Sequence, residues 1–281
     1  MAERFDAVVI GAGIAGLGVA GLLQRAGLKT ACIEKDTAPG GRMQGFDLEG
    51  GWRLDIGLHL VELGDESSSD ALVKAVGKEV KWSCFSETVE IFSDGKWKTL
   101  QELVMASPED IEEIKRLMRK VASMQDEEIE ANDLESWGDW LAANTTSKVA
   151  TDLFNVNGMI MTTVPDPFDM SAGEILYIAR ENLRKKRNFL TAAYPVGGMR
   201  GIIDPLVEAF EEAGGTLMLG TEVDSVLFEG RKVRGVSVKK RSLSPYPGWF
   251  YMDDLGTIET PVVVCALPLW SLDGVLDLNP H

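Results

Sequence analysis

The stretch Phe5-Asp6-Ala7-Val8-Val9-Ile10-Gly11-Ala12-Gly13-Ile14-Ala15-Gly16-Leu17 joins a short β-rich run to glycines at fixed spacing. Phe5 to Ile10 reads as a buried parallel strand, because it is mostly apolar, short and bounded by glycine. Ile14 to Ala26 reads as a helix stopped by Gly27, and Lys29 to Glu34 reads as a second strand. A βαβ unit therefore starts with the first residues. Gly11, Gly13 and Gly16 match G-x-G-x-x-G, with a strand before and a helix after. Gly11 allows a tight turn, Gly13 lets the backbone approach a pyrophosphate, and Gly16 lets helix and strand pack closely. The helix start adds free N–H groups and a partial positive charge. Glu34 is placed to accept hydrogen bonds from an adenosine ribose. The loop alone does not separate FAD from NAD.

The chain has 281 residues, with 28 Lys plus Arg against 44 Asp plus Glu, for a formal net charge of −16. Its apolar fraction of 45% and charged fraction of 26% are those of a globular protein with a sizeable core. So negative a chain repels phosphate backbones, which argues against general nucleic-acid binding. Cys32, Cys84 and Cys265 lie far apart with no C-x-x-C, so neither a disulfide framework nor a metal site is expected. This cysteine usage fits a reducing, cytoplasmic setting. No run of about 18 apolar residues suggests a spanning helix, and the N-terminus does not read as a signal peptide.

Beyond the βαβ unit, residues 36–60 read as a long connection containing short strands. From about 70 to 190 the character is helical. Ser107-Pro108-Glu109-Asp110 supplies an N-cap, a proline at N1 and a capping acid. Leu134, Trp137, Trp140 and Leu141 suggest a short helix, and Ser171-Ala172-Gly173-Glu174 is a second capping box. After Pro195 the α/β style returns. Gly201 to Ala213 reads as a helix, and Thr216 to Leu219 as a strand. Val223–Phe228 and Lys232–Lys240 read as a hairpin around Glu229-Gly230, and Val262 to Ala266 as a further strand. The expected organisation is a Rossmann-like α/β domain of residues 1–65 and 190–281, interrupted by a mainly helical substrate region over 66–189.

Pro39-Gly40-Gly41-Arg42 follows Glu34 closely, and Asp55-Ile56-Gly57-Leu58-His59 comes after it. Together with the 11–17 loop, these residues resemble the FAD-dependent amine oxidase and phytoene desaturase (phytoene dehydrogenase-like) superfamily. A guanidinium flanked by glycines suits a diphosphate without appeal to any family. The resemblance continues in Tyr194-Pro195-Val196-Gly197-Gly198-Met199, Gly214-Gly215-Thr216, Thr221-Glu222-Val223 and Val263-Val264-Cys265-Ala266-Leu267-Pro268. It implies a glutathione-reductase-like FAD domain. Gly11, Gly13, Ile14, Ala15, Gly16, Glu34, Lys35, Gly40, Gly41 and Arg42 are implied at the adenosine and diphosphate end. Gly57, Leu58 and His59 are implied toward the flavin, Val223 lends its backbone to adenine, and Ala266 passes near the cofactor. Superfamily members are longer, with a C-terminal part ending in a further Gly-Asp motif that is not found after Ala266. A missing C-terminal segment or a partner subunit is therefore expected.

The resemblance implies that flavin carries the redox step and that the protein positions the substrate. His59 is the one candidate for orienting or protonating a reacting group; a hydrogen-bonded structural histidine is the competing reading. Asp55 reads as structural, holding its loop through backbone N–H groups. Alanine at Glu34 or Arg42 is expected to weaken FAD binding with the fold intact. Three functions are carried forward. The first is hydride transfer at a C–C bond of an apolar, isoprenoid-like substrate. The second is amine oxidation at a C–N bond. The third is a non-catalytic or split-subunit FAD-binding protein of the same fold; Rab escort and GDP-dissociation-inhibitor proteins share this fold without using flavin. Pro245-Tyr246-Pro247-Gly248-Trp249-Phe250-Tyr251, after Lys239-Lys240-Arg241, leaves open a peripheral membrane contact or a packed interface.

Overall fold

In the computed structural model, residues 4–84, 90–99, 106–185, 192–243 and 250–276 are described. The chain divides into two compact units, Met1–Cys84 with Ala193–His281, and Phe85–Ala192.

The first unit opens with β1 (Ala7–Ile10), α1 (Ile14–Arg25) and β2 (Thr30–Ile33). A single 3₁₀ turn at Gly41–Met43 leads into the hairpin of β3 (Gly45–Leu48) and β4 (Trp52–Asp55). β5 (Val61–Glu62), α2 (Ser68–Ala75) and β6 (Trp82–Cys84) follow. Ser67 caps α2 by accepting from the Asp70 N–H, and Trp82 Nε1 donates to the Asp70 carboxylate at 2.8 Å. Val73 and Val76 are buried with Leu17 and Met199 of the same unit. The boundary expected at 65/66 is therefore corrected to follow Cys84, because residues 66–84 bury their apolar side chains against α1 and its neighbours.

The second unit holds the hairpin of β7 (Glu90–Ser93) and β8 (Lys96–Thr99), inside a stretch that reads as helical from sequence. Then come α3 (Pro108–Ser123), α4 (Asp126–Glu130), α5 (Trp137–Asn144), α6 (Lys148–Thr162) and α7 (Ala172–Arg184). The Ser107/Asp110 capping box starts α3, and Ser171 caps α7. Leu117, Val121, Trp137, Leu141, Phe154, Ile175 and Leu176 form the core of this unit. Trp137 and Trp140 stack at 5.1 Å within it, a packing role.

The chain returns to the first unit with β9 (Ala192–Pro195), α8 (Arg200–Glu212), β10 (Thr216–Met218), β11 (Thr221–Glu229), β12 (Lys232–Leu243), β13 (Phe250–Glu259), β14 (Val263–Cys265) and α9 (Asp273–Leu276). A parallel sheet runs β10-β2-β1-β14, and β11-β12-β13 form an antiparallel sheet. Because side chains alternate along a strand, Val9 and Cys32 join Leu17, Ile202, Leu206 and Phe210 on the helix side. Val8, Ile10, Ala31 and Ile33 join Val223, Val236, Val238 and Ile258 on the other. The parallel sheet is thus covered on both faces, as its near-continuous apolar strands require. Burial pushes the Cys32 thiol up to about 12, and the nearby Glu34 carboxylate adds to the effect. Cys32 is a core residue rather than a thiolate. This architecture is the Rossmann-like dinucleotide-binding fold.

Candidate functional site

The three loop glycines differ in why the backbone needs them. Gly11 stands at φ +97, and a Cβ there would lie 3.2 Å from the Ala266 carbonyl oxygen. Gly16 has no space at all, since its Cβ would sit 1.8 Å from the Gly11 oxygen. Gly13 is the exception. Its φ of −72 and ψ of 178 are open to any residue, and a Cβ would meet no protein atom within 4 Å. Nothing inside the chain requires glycine at this position. The open space lies at the N-terminus of α1, where the first-turn N–H groups of Ile14, Ala15 and Gly16 precede the first helical hydrogen bond, Leu17 N–H to Gly13 O. An anionic group placed there would meet these donors and the positive end of the helix dipole.

Glu34 follows β2 directly and is 7% exposed. One carboxylate oxygen accepts from the Ala12 N–H at 2.8 Å and the other from the Asp36 N–H at 3.0 Å. Each oxygen keeps a lone pair for an outside hydroxyl. Lys35 is exposed beside it. The Gly40 N–H donates to the Ala12 oxygen at 2.8 Å, so Gly40 and Gly13 face one another as a parallel bridge. Gly40 at φ +119 and Gly41 at φ +57 make the turn, and a Cβ on Gly41 would stand 3.5 Å from the Gly13 Cα. Arg42 follows with an exposed side chain that makes no ion pair among the described residues.

A strap continues from Arg42. Its carbonyl accepts from the Leu58 N–H at 3.2 Å, and Gly57 packs on it so closely that a Cβ would sit 2.8 Å away. His59 is exposed, with Nδ1 3.3 Å from the Gly57 oxygen. Val223 is buried in β11, whose first residue donates from Thr221 N–H to the Glu34 carbonyl at 2.9 Å. Ala266 caps the loop from below, donating its N–H to Ile10 O. The structure thus places Gly11–Gly16, Glu34 and Ala266 at the C-terminal ends of β1, β2 and β14, with Gly40–Arg42 bonded to the loop, Gly57–His59 alongside Arg42, and Val223 two residues beyond the Glu34 contact. Among the described residues no His, Cys, Asp and Glu cluster would hold a metal.

The sequence reading missed how Asp55 is held. Its carboxylate accepts from the Tyr194 hydroxyl at 2.7 Å and from the Met199 N–H at 2.9 Å. Asp47 and Arg53, opposite one another in β3 and β4, extend this contact. Arg53 Nη1 donates to Gly197 O, and Arg200 Nη1 donates to Asp47. The Asp47 carboxyl is held below its usual range, chiefly by the Arg53 hydrogen bond. Alternating charge over 47, 53 and 55 was the available signal, but nothing local names residues 194–200 as the partner.

A family profile described as an NAD(P)-binding Rossmann-like domain matches residues 9–75. The neurosporene-forming phytoene desaturase of Rhodobacter capsulatus is 28% identical over 79% of this chain and 47% of its own length. The all-trans-retinol 13,14-reductase of Danio rerio is 25% identical over 85% of this chain and 45% of its own. Among solved structures, a putrescine oxidase double mutant superposes with a TM-score of 0.70 at 20% identity, covering 99% of this chain and 62% of that one. That likeness bears on the fold. The chain spans about half the length of these two sequence relatives. The open cradle at Gly13 and the glycine turn beside it suit a dinucleotide: the chain carries an NAD(P)-binding Rossmann-like domain and is similar over most of its length to a phytoene desaturase and a retinol reductase.

Proposed function

We propose that the chain is the cofactor-holding part of an FAD-dependent oxidoreductase acting at a C–C bond of an apolar, isoprenoid-like substrate. The observation that carries the cofactor site is the open space at Gly13, framed by Glu34 and the Gly40–Arg42 turn. Gly13, Ile14, Ala15 and Arg42 would hold the diphosphate, Glu34 and Lys35 the ribose, and Val223 the adenine. Gly57, Leu58 and His59 would approach the ring end. Bound FAD supplies the redox step. The protein's part is to hold the cofactor extended, keep water from the reacting centre and seat the substrate. His59 Nδ1, beside the Gly57 oxygen, is the group placed to hold a proton there. The C–C reading rests on the two sequence relatives, which are named for a desaturase and a retinol reductase. Amine oxidation is the second reading, and the putrescine oxidase likeness of fold favours it. Reduction of bound flavin by isoprenoids and not by amines is the expected assay outcome; the reverse would overturn the first reading. Protein that is colourless and takes up no FAD would favour a non-catalytic role.

The Gly40–Arg42 turn so soon after Glu34 also leads us to expect little competition from NADH, because it suits a flavin dinucleotide held in extended form. The measurement is displacement of FAD by NADH. Displacement at comparable concentration would make this a generic dinucleotide site.

The hairpin of β3 and β4 supports a partner polypeptide. Its cross-strand pairs Phe46/Leu54 and Leu48/Trp52 share one face, and all four side chains are exposed, Trp52 by 72%. Ile56 and Leu58 continue the apolar strip. The occupant we propose is polypeptide equivalent to the half of the relatives that this chain does not match, in the same chain or in a second subunit. The 281-residue chain alone is expected to retain FAD weakly, self-associate and show no turnover. Robust turnover by that chain as a monomer would refute this. Among the described residues no helix is long and apolar enough to cross a membrane. The aromatic segment proposed for peripheral membrane contact falls mainly on 244–249, outside the described residues.

A further inference from the structure

Asp55 lies 139 residues from Tyr194 in the chain, yet its carboxylate, beside the Arg53–Gly197 and Arg200–Asp47 contacts, fastens the β3–β4 hairpin to the 194–200 turn. The site is built to fit it. A Cβ on Gly198 would stand 2.8 Å from Asp55 Oδ1, and one on Gly45 3.2 Å from the same atom. Gly197 and Gly198, at φ +93 and +76, form the turn that aims the Met199 N–H at that oxygen. Met199 opens α8, so the carboxylate also sits at the positive end of a helix of 13 residues. The hydrogen bond to Asp55 is the leading reason that the Tyr194 hydroxyl is held above its ordinary value and keeps its proton.

What this carboxylate positions is the strap that begins at the next residue. Ile56 N–H donates to Gln44 O, and Leu58 N–H to Arg42 O, so residues 56–59 lie alongside 42–44. The Gly40–Met43 turn is secured separately. Gly40 N–H bonds Ala12 O, Met43 N–H bonds Gly40 O, and the Met43 side chain is buried in the helix-side core. The Asp55 carboxylate makes no bond to the 11–16 loop, Glu34 or the 40–43 turn, so its loss bears first on the strap that it leads into.

We propose that Tyr194 and Asp55 form a positioning clasp that orders residues 56–59 for the ring end of the dinucleotide. Neither residue touches the adenosine diphosphate end. The inference rests on the cofactor reading above and goes beyond it, since it divides the site into two parts with separate supports. A general stabilising contact would affect both parts alike.

The test compares binding of FAD with binding of ADP, which lacks the ring end, in the 281-residue chain. Tyr194→Phe and Asp55→Ala are expected to weaken FAD binding about tenfold, the loss of one hydrogen bond to a charged group. ADP affinity should change less than about twofold. Asp55→Asn should recover most of the loss, because its amide oxygen can accept from Met199 N–H while its NH₂ donates to the Tyr194 oxygen. The absorption envelope of bound FAD should shift in Tyr194→Phe and Asp55→Ala and stay near that of the wild type in Asp55→Asn. Equal losses for FAD and ADP, or unchanged FAD affinity, would overturn the clasp. Wild-type chain that binds neither ligand would instead overturn the cofactor reading, and the clasp with it. If Asp55→Ala does not fold, Tyr194→Phe, which keeps the backbone and the charge, decides the outcome.

Discussion

Alanine at Gly13 is expected to remove dinucleotide binding and leave the fold untouched, whereas alanine at Gly16 should prevent folding. The two positions are three residues apart in one loop, and simple conservatism would treat them alike. At Gly13 the backbone already has ordinary dihedrals and the added methyl meets no protein atom within 4 Å. The unfolded-state gain of about 0.4–1 kcal/mol from removing glycine offsets the poorer N-cap that alanine makes for α1, so stability should change little. The methyl would occupy the space in which a diphosphate must approach the α1 N–H groups. Losing two or more charge-assisted hydrogen bonds costs roughly a hundredfold in affinity or more. At Gly16 the methyl would stand 1.8 Å from a backbone oxygen, which cannot turn aside as a side chain does. Overpacking in a yielding core costs about 1–3 kcal/mol, and this contact should exceed that range. Thermal unfolding with FAD titration separates the cases. Wild-type affinity in Gly13→Ala would mean that the open space is not a ligand site.

Glu34→Ala should lower both affinity and stability, while Arg42→Ala should lower affinity alone. Sequence reasoning treats the two as equivalent ligand contacts with no part in the fold. The structure separates them. The Glu34 carboxylate satisfies the Ala12 and Asp36 N–H groups in a nearly buried position. Truncation strands both donors, at about 1–3 kcal/mol for a buried one, in addition to the ten- to hundredfold loss in FAD affinity. Glu34→Gln keeps an acceptor and should recover part of each. The exposed Arg42 guanidinium makes no ion pair among the described residues, so its removal leaves the melting temperature where it was. Equal melting temperatures for Glu34→Ala and the wild type would contradict the bonding at Ala12 and Asp36.

The first βαβ unit was legible because its signals are local: apolar strands buried on both faces, glycines at fixed spacing and an acid at a strand end. The hairpin around Glu229-Gly230 was legible for the same reason. Its third strand, Phe250–Glu259, was not, because Asp253, Asp254 and Gly256 interrupt the β-rich pattern. The β3–β4 hairpin reads only as unspecified short strands in a long connection, because its pattern is inverted. The apolar side faces outward, and the charged side, Asp47, Arg53 and Asp55, is satisfied internally by residues far along the chain. The β7–β8 hairpin was hidden in a helical stretch, though Asp94-Gly95 marks its turn. At the site, residue types and spacing were readable, but the pairing of Asp55 with Tyr194 belongs to tertiary structure alone.

The strand order β10-β2-β1-β14 also fixes a sequence of events at the ribosome. Val8 is made 255 residues (263 − 8) before its partner Val263. At about 5–20 residues per second, β1 waits roughly 10–50 s for the strand that completes its edge. The helical unit of residues 85–192 lies within one continuous stretch and has its own core, so it is ready to fold during that interval. The nascent β1–β2 pair is meanwhile an open, largely apolar edge. The slow step in biogenesis is therefore the long-range closure of the parallel sheet. A synthesis pause or truncation before residue 263 leaves the glycine loop translated and its supporting strand absent, a state that chaperones must hold.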